Sequence, residues 1–153
     1  MEVLYQNKLL TIALTIAFAL LAGNFGSSVY MLNAPPVVVR ADLSDFKAAY
    51  GVSPAAFQSW FTIHLNTGVG FYQTIRHEYQ HYIQSALLTP FGAAIGYQWQ
   101  HFVLGKDYYD NWFEIDARRV AHDGLNFKVF VWNTKELKLI MPGQYYYDLG
   151  VNE

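Results

Sequence analysis

The chain has no cysteine at any of its 153 positions. Disulfides and thiolate-bound metals are therefore excluded, and a metal ion must take its ligands from histidine, aspartate or glutamate. Charge is sparse too: Asp, Glu, Lys and Arg together make up 14 % of the residues. Ten basic against twelve acidic side chains leave a formal net charge of −2. That lacks the basic excess of a nucleic-acid-binding protein, so nucleic acid is not an expected partner. No internal repeat and no low-complexity segment is visible. What the chain does have is apolar bulk. Hydrophobic residues reach 53 %, with twelve tyrosines, eleven phenylalanines and four tryptophans. Such a composition suits one compact domain with an aromatic core, joined to a membrane-associated or signal segment.

The apolar residues are concentrated at the N-terminus. Leu9 to Ala22 reads LLTIALTIAFALLA, and a weaker uncharged stretch continues it to Leu32. A membrane-spanning helix needs about 20 apolar residues, whereas the strong part alone has the length of a signal-peptide core. A helix buried in the fold is the third reading. Lys8 precedes the run, and the positive-inside tendency then puts the remaining chain outside the cytoplasm, anchored or secreted. Residues 1–34 are read as this apolar helix with its linker, and residues 35–153 as the functional domain. Pro35 and Pro36 stop the first helix.

Further along, Val37-Val38-Val39 is extended. Asp42 to Tyr50 reads as a short helix, and Ser53-Pro54 as the start of a helical turn. Trp60 to Leu65 is β-prone, with Phe61, Ile63 and Leu65 on one face, and Asn66 to Gly70 turns the chain. Helices are expected from about Phe71 to Leu88, from Phe91 to Leu104 with Gly105 closing it, and from Trp112 to His122 behind the cap Asn111. The period then changes to two. Leu125 to Trp132 and Lys135 to Met141 read as a C-terminal hairpin around Asn133-Thr134, and an aromatic tail follows from Pro142 to Tyr147.

His77-Glu78-Tyr79-Gln80-His81 is an H-E-x-x-H motif on the first of those three helices. Residues four apart share a helix face, so His77 and His81 can offer two imidazoles to one ion. Glu78 is then placed to act on a metal-activated water. A catalytic zinc needs a third protein ligand. Glu114, 33 residues after His81 on a separate helix, is the best candidate. Asp116, His122 and His101 are the alternatives. Glu114 also stands three residues after Asn111, where it could instead complete a capping box.

H-E-x-x-H followed by a downstream helix carrying Glu114-Ile115-Asp116-Ala117 resembles the gluzincin class of zinc metallopeptidases. In particular, His77 to Gln84 with Tyr108 to Arg119 looks like small H-E-x-x-H-x-x-Q domains of bacteria and phages. The likeness covers roughly residues 71–121. It implies an α+β, minimal zincin-like domain, in which the motif helix packs with two or three further helices and a small sheet. It also implies one Zn2+ held by His77, His81 and Glu114. A peptide or protein would be the substrate.

On that basis Glu78 is the expected general base. Tyr108, Tyr109 and His122 are candidates to stabilise the oxyanion. Asp110, Asn111 and Asp116 are candidates to orient a ligating imidazole. Phe61, Thr62, Ile63 and His64 form the expected edge strand on which an extended peptide would pair, although His64 itself is read as exposed. Arg118 lies one turn beyond Glu114, where it can brace it. Ala117 and Ala121 are small enough to let two helices approach. The competing reading is a non-enzymatic phage or cell-surface assembly protein that keeps a zincin-like metal site.

Overall fold

The computed structural model describes residues 2–41, 43, 54–66, 71–123, 129–132 and 137–140. The protein is α+β. Its elements run in the order α1 (Glu2–Asn33), β1 (Val37–Ala41), β2 (Ala56–Ser59), β3 (Thr62–Asn66), α2 (Phe71–Leu88), α3 (Pro90–Phe102), α4 (Trp112–Asp123), β4 (Val129–Trp132) and β5 (Leu137–Ile140). The strands form one mixed sheet in the order β2-β3-β1-β4-β5. Strand β1 is parallel to both β3 and β4, while the outer pairs β2–β3 and β4–β5 are antiparallel. All three helices α2 to α4 lie in the crossover between β3 and β4, and this places the motif beside the sheet.

Helix α1 is a continuous helix of 32 residues. From Leu10 to Asn33 it is long and apolar enough to cross a membrane, and only 6 % of that window is buried. Its last two turns are different. Met31 packs with Tyr82 and Ala86 of α2 in one buried cluster. The Tyr82 hydroxyl donates to the Ala34 carbonyl at 2.7 Å, and Pro36 is fully buried. The stretch read as a linker is therefore a tight junction, which feeds α1 directly into the central strand β1.

Helix α2 ends at Leu88 because the next two residues are Thr89 and Pro90, and proline cannot continue the backbone ladder. Thr89 has φ 65, a costly conformation for a β-branched residue. It caps α3, its hydroxyl accepting from the Gly92 amide at 3.2 Å. Asn24 of α1 holds this turn from outside. Its amide donates to the Thr89 hydroxyl at 2.6 Å, and its carbonyl accepts from Phe91 N–H at 3.1 Å. Gly105 closes the segment after α3 with φ 63.

Two expectations are corrected here. The helical turn expected at Ser53-Pro54 is not found after Pro54, where the chain enters β2. Phe57 pairs with His64, and their rings stack with centroids 4.5 Å apart. Phe61, Thr62, Ile63 and His64 do not form an edge. Trp60 and Phe61 make the two-residue β2–β3 turn, with Trp60 at φ 47. Strand β3 itself is paired along its length to β2 on one side and β1 on the other, so its backbone has no free edge to offer. Ile63 and Leu65 point into the core, as their alternation implies. The helix expected over Asp42–Tyr50 (apart from Leu43, which is buried and in no helix), the residues 67–70 of the turn, the start of the strand at Leu125, the hairpin turn at Asn133-Thr134 and the aromatic tail lie outside the described residues.

Candidate metal centre

One turn of α2 separates His77 from His81, and the helix puts their rings side by side, with centroids 4.8 Å apart. Helix α4 packs against the same face of α2. Ala117 is fully buried there, and its lack of a longer side chain permits the approach. Glu114, one turn earlier on α4, then reaches both imidazoles. Its Oε2 lies 3.1 Å from His77 Nε2, and its Oε1 lies 3.5 Å from His81 Nε2. The two Nε2 atoms are 3.1 Å apart. Ligands about 2.0–2.1 Å from a tetrahedral zinc stand about 3.3 Å from one another, so these spacings fit that geometry.

Satisfaction of the polar atoms supports the same fit. Among the described residues, buried Glu114 Oε2 has no hydrogen-bond donor other than His77 Nε2, 3.1 Å away, and is satisfied only if that nitrogen carries a proton. Otherwise its state is an expensive one for a carboxylate oxygen. Two like imidazole nitrogens facing each other leave a lone pair unanswered unless one ring is protonated in that direction. A cation among the three atoms would answer all of them. Among the described residues, His77, His81 and Glu114 are the one His/Asp/Glu group whose ligand atoms converge in this way.

Glu114 is not a capping-box residue. Asn111 caps α4 by accepting from the Phe113 amide at 3.0 Å, and the Glu114 carboxylate turns inward. Burial opposes its ionisation, but the contacts and positive charge of His77 and His81 outweigh burial. They hold its carboxyl well below the usual carboxylate range. Burial also works against a charged His81, and there the neighbouring Glu114 and Glu78 prevail and raise its pKa. Glu78 is buried beside the cluster, and desolvation raises its pKa despite the nearby histidines and a hydrogen bond from the Gln58 backbone. A carboxylate raised in this way is suited to taking up and releasing a proton.

A supporting network fixes the imidazole of His81. Gln84 Oε1 lies 2.8 Å from His81 Nδ1. An amide oxygen only accepts, so Nδ1 carries the proton and Nε2 presents its lone pair to the centre. Gln84 is held in turn by donating to the Phe113 carbonyl and to Asp116 Oδ2, each at 3.0 Å. Gln80 and Arg119 also donate to Asp116, at 2.6 and 2.8 Å. Asp116 thus acts on His81 through Gln84, not as a ligand.

The remaining candidates divide. Tyr108 lies near Glu114, and burial together with that charge pushes its pKa up to about 12. Tyr109 is exposed. Arg118 does not brace Glu114; it donates to the carbonyls of Tyr108 and Tyr109 and lies over both rings, so it pins that turn. His122 is 91 % exposed and faces Asp123, two turns beyond Glu114. His101 is exposed beside the Lys106 carbonyl, and Asp110 is exposed on the loop. Asn111 serves the cap. His64 is half-buried, not exposed. It hydrogen-bonds Ser59 at 3.0 Å, and burial lowers its pKa.

Two contributors were not identified from the sequence as parts of the site, and a third, Gln84, entered only as the last residue of the H-E-x-x-H-x-x-Q pattern. Tyr97 of α3 donates its hydroxyl to Glu114 Oε1 at 3.2 Å, and nothing distinguishes it from an ordinary core aromatic. The Gln58 amide reaches Glu78 only because of the sheet order. Gln84 did carry a signal, since it stands three residues after His81 on the same helix face. No known protein family, curated protein or solved structure matches this chain.

Proposed function

We propose that the protein is a zinc-dependent hydrolase, a gluzincin-like metallopeptidase on a minimal zincin-like domain. The carrying observation is the convergence of His77, His81 and Glu114 within 4.8 Å of one another, with Glu78 buried beside them. Zinc held there would supply a Lewis acid for a peptide carbonyl and would acidify a water. Glu78 would be the residue to accept a proton from such a water and pass it to the departing amine. Tyr108, half exposed and within the influence of Glu114, is the candidate donor to a developing oxyanion. Strand β2 replaces β3 as the aligning edge. It is the outermost strand on its side of the sheet among the described residues, and the Gln58 backbone is close enough to Glu78 to influence its carboxyl. An extended peptide pairing with β2 passes close to the base.

Glu78→Gln should keep zinc and lose peptide hydrolysis by about 10²–10⁴-fold, whereas Glu114→Ala should lose zinc. Metal content by atomic emission and turnover of a peptide library read the two outcomes separately. Undiminished hydrolysis by Glu78→Gln would remove the proposed base. The alternative, a non-enzymatic assembly protein, draws on the many large apolar side chains at the surface. Zinc bound with no hydrolysis anywhere in the library would favour it.

A further inference from the structure

The outer face of α3 is apolar and, among the described residues, exposed. Phe91, Ala94, Ile95, Gln98, Trp99 and Phe102 fall within one arc of the helix at 100° per residue. Phe91, Trp99 and Phe102 are 67 %, 57 % and 76 % exposed. The opposite face is buried, with Ala93 and Gln100 inward and Gly96 against Phe113. Leu87 and Leu88 extend the exposed apolar surface around the α2–α3 turn. No Asp, Glu, Lys or Arg occurs between Glu78 and Lys106. A patch of this kind marks a contact with a membrane or another protein.

Its connection to α1 selects the membrane. Asn24 bonds both Thr89 and Phe91, so the α2–α3 turn is fixed to the side of α1. Asn24 is 14 residues after Leu10, about 21 Å along the helix. A hydrocarbon core about 30 Å thick that begins near Leu10 therefore still encloses the level of Asn24. If α1 crosses a bilayer, the turn attached to it is inside that bilayer. The residues after α3 have the composition of a membrane–water boundary: Lys106 lies over the exposed Trp112 ring, and Tyr108 and Tyr109 of the same loop are exposed.

We propose that the α2–α3 turn and the outer face of α3 are sunk in the lipid bilayer that α1 enters, which sets the metal centre at the membrane surface. His81 is eight residues before Thr89, about 12 Å along α2. The proposal rests on α1 as a membrane helix and on no property of the metal centre.

The absence of native cysteine makes the test direct. Single variants Leu14→Cys, Ile95→Cys, Phe102→Cys and Asp123→Cys of the full chain are labelled with an environment-sensitive fluorophore. Each is reconstituted in phosphatidylcholine–phosphatidylglycerol vesicles and probed with brominated lipid and with aqueous iodide. The probes at 14, 95 and 102 should lose most of their emission to brominated lipid and resist iodide, while the probe at 123 does the reverse. Lipid quenching at 14 with iodide quenching at 95 and 102 would overturn the proposal and leave α1 in the membrane. Shielding of 95 and 102 from both quenchers would also overturn it, in favour of a protein on that face. Iodide quenching at all four positions would remove the membrane reading of α1 as well. Zinc and hydrolysis do not enter the measurement, so each of these failures leaves the proposed metallopeptidase standing.

Discussion

Gln84 does more for the candidate centre than its neutral side chain suggests. It spends its one acceptor on His81 and its donors on α4, so the ring that faces Glu114 has a defined tautomer. Outer partners of this kind are worth about 10–100-fold in metal affinity. Gln84→Ala should lower zinc affinity by roughly that factor, measured by competition with a chromophoric chelator, while the helices stay folded. An unchanged affinity would reduce Gln84 to a helix-packing residue. A pH dependence follows from the same atoms. His81 has its pKa raised, so in the metal-free protein its protonated form adds stability at low pH, and that contribution is lost as pH rises through the raised value. Protons therefore compete with zinc below it. The increase in Tm on adding zinc should be largest above neutrality and shrink steadily from pH 7 toward pH 5. A zinc-induced shift of equal size across that range would show that His81 is not a ligand. At this scale the sequence was informative where helix geometry alone decides the partner. His77 and His81 are paired by one helical turn, and Gln84 follows by three residues. Tyr97 was illegible, because its neighbour Glu114 is brought by a different helix.

The packing of whole elements decides whether those side chains meet. The limits of α2 were readable from Thr89-Pro90, and those of α4 from Asn111, because caps and prolines act locally. What holds α2 against α4 was readable only as the small size of Ala117. That residue is fully buried, one turn beyond Glu114. Ala117→Leu should destabilise the fold by about 1–3 kcal/mol through overpacking. It should also weaken zinc binding, because a larger side chain pushes Glu114 away from the two histidines. Chemical denaturation and zinc titration measure the two effects separately. A loss of stability with zinc affinity intact would mean that the helices yield elsewhere and the centre does not depend on their spacing. Strand β2 shows the opposite case. Ser53-Pro54 has the local signature of a helix start, yet the segment after it pairs with β3, and the stacking of Phe57 on His64 comes from residues on the partner strand.

For the molecule as a whole, local pattern reached the class and stopped short of the order of parts. Alternation identified β3 as a strand with Ile63 and Leu65 inward, but pairing on both sides is a property of the assembled sheet. Likewise, the apolar run from Leu9 to Leu32 announced a long helix without showing that its two halves differ. In the first half, every described residue from Leu10 to Leu20 is exposed. The second supplies Met31 to the buried cluster with Tyr82 and Ala86, and the junction behind it receives the Tyr82 hydroxyl. Helix α1 is thus both an apolar rod and a wall of the domain that carries the motif. A chain lacking residues 2–23 keeps Asn24, Met31 and Ala34, and should fold and bind zinc in mild detergent. A chain lacking residues 2–33 bares Tyr82 and Ala86. Loss of a buried side chain such as Met31 alone costs about 2–5 kcal/mol, a large share of the roughly 5–15 kcal/mol that stabilises a typical domain. The longer deletion should therefore lose both its cooperative melting transition by circular dichroism and its zinc. Cooperative melting at an unchanged Tm after the longer deletion would show that residues 35–153 fold independently, and that α1 serves only to tether them.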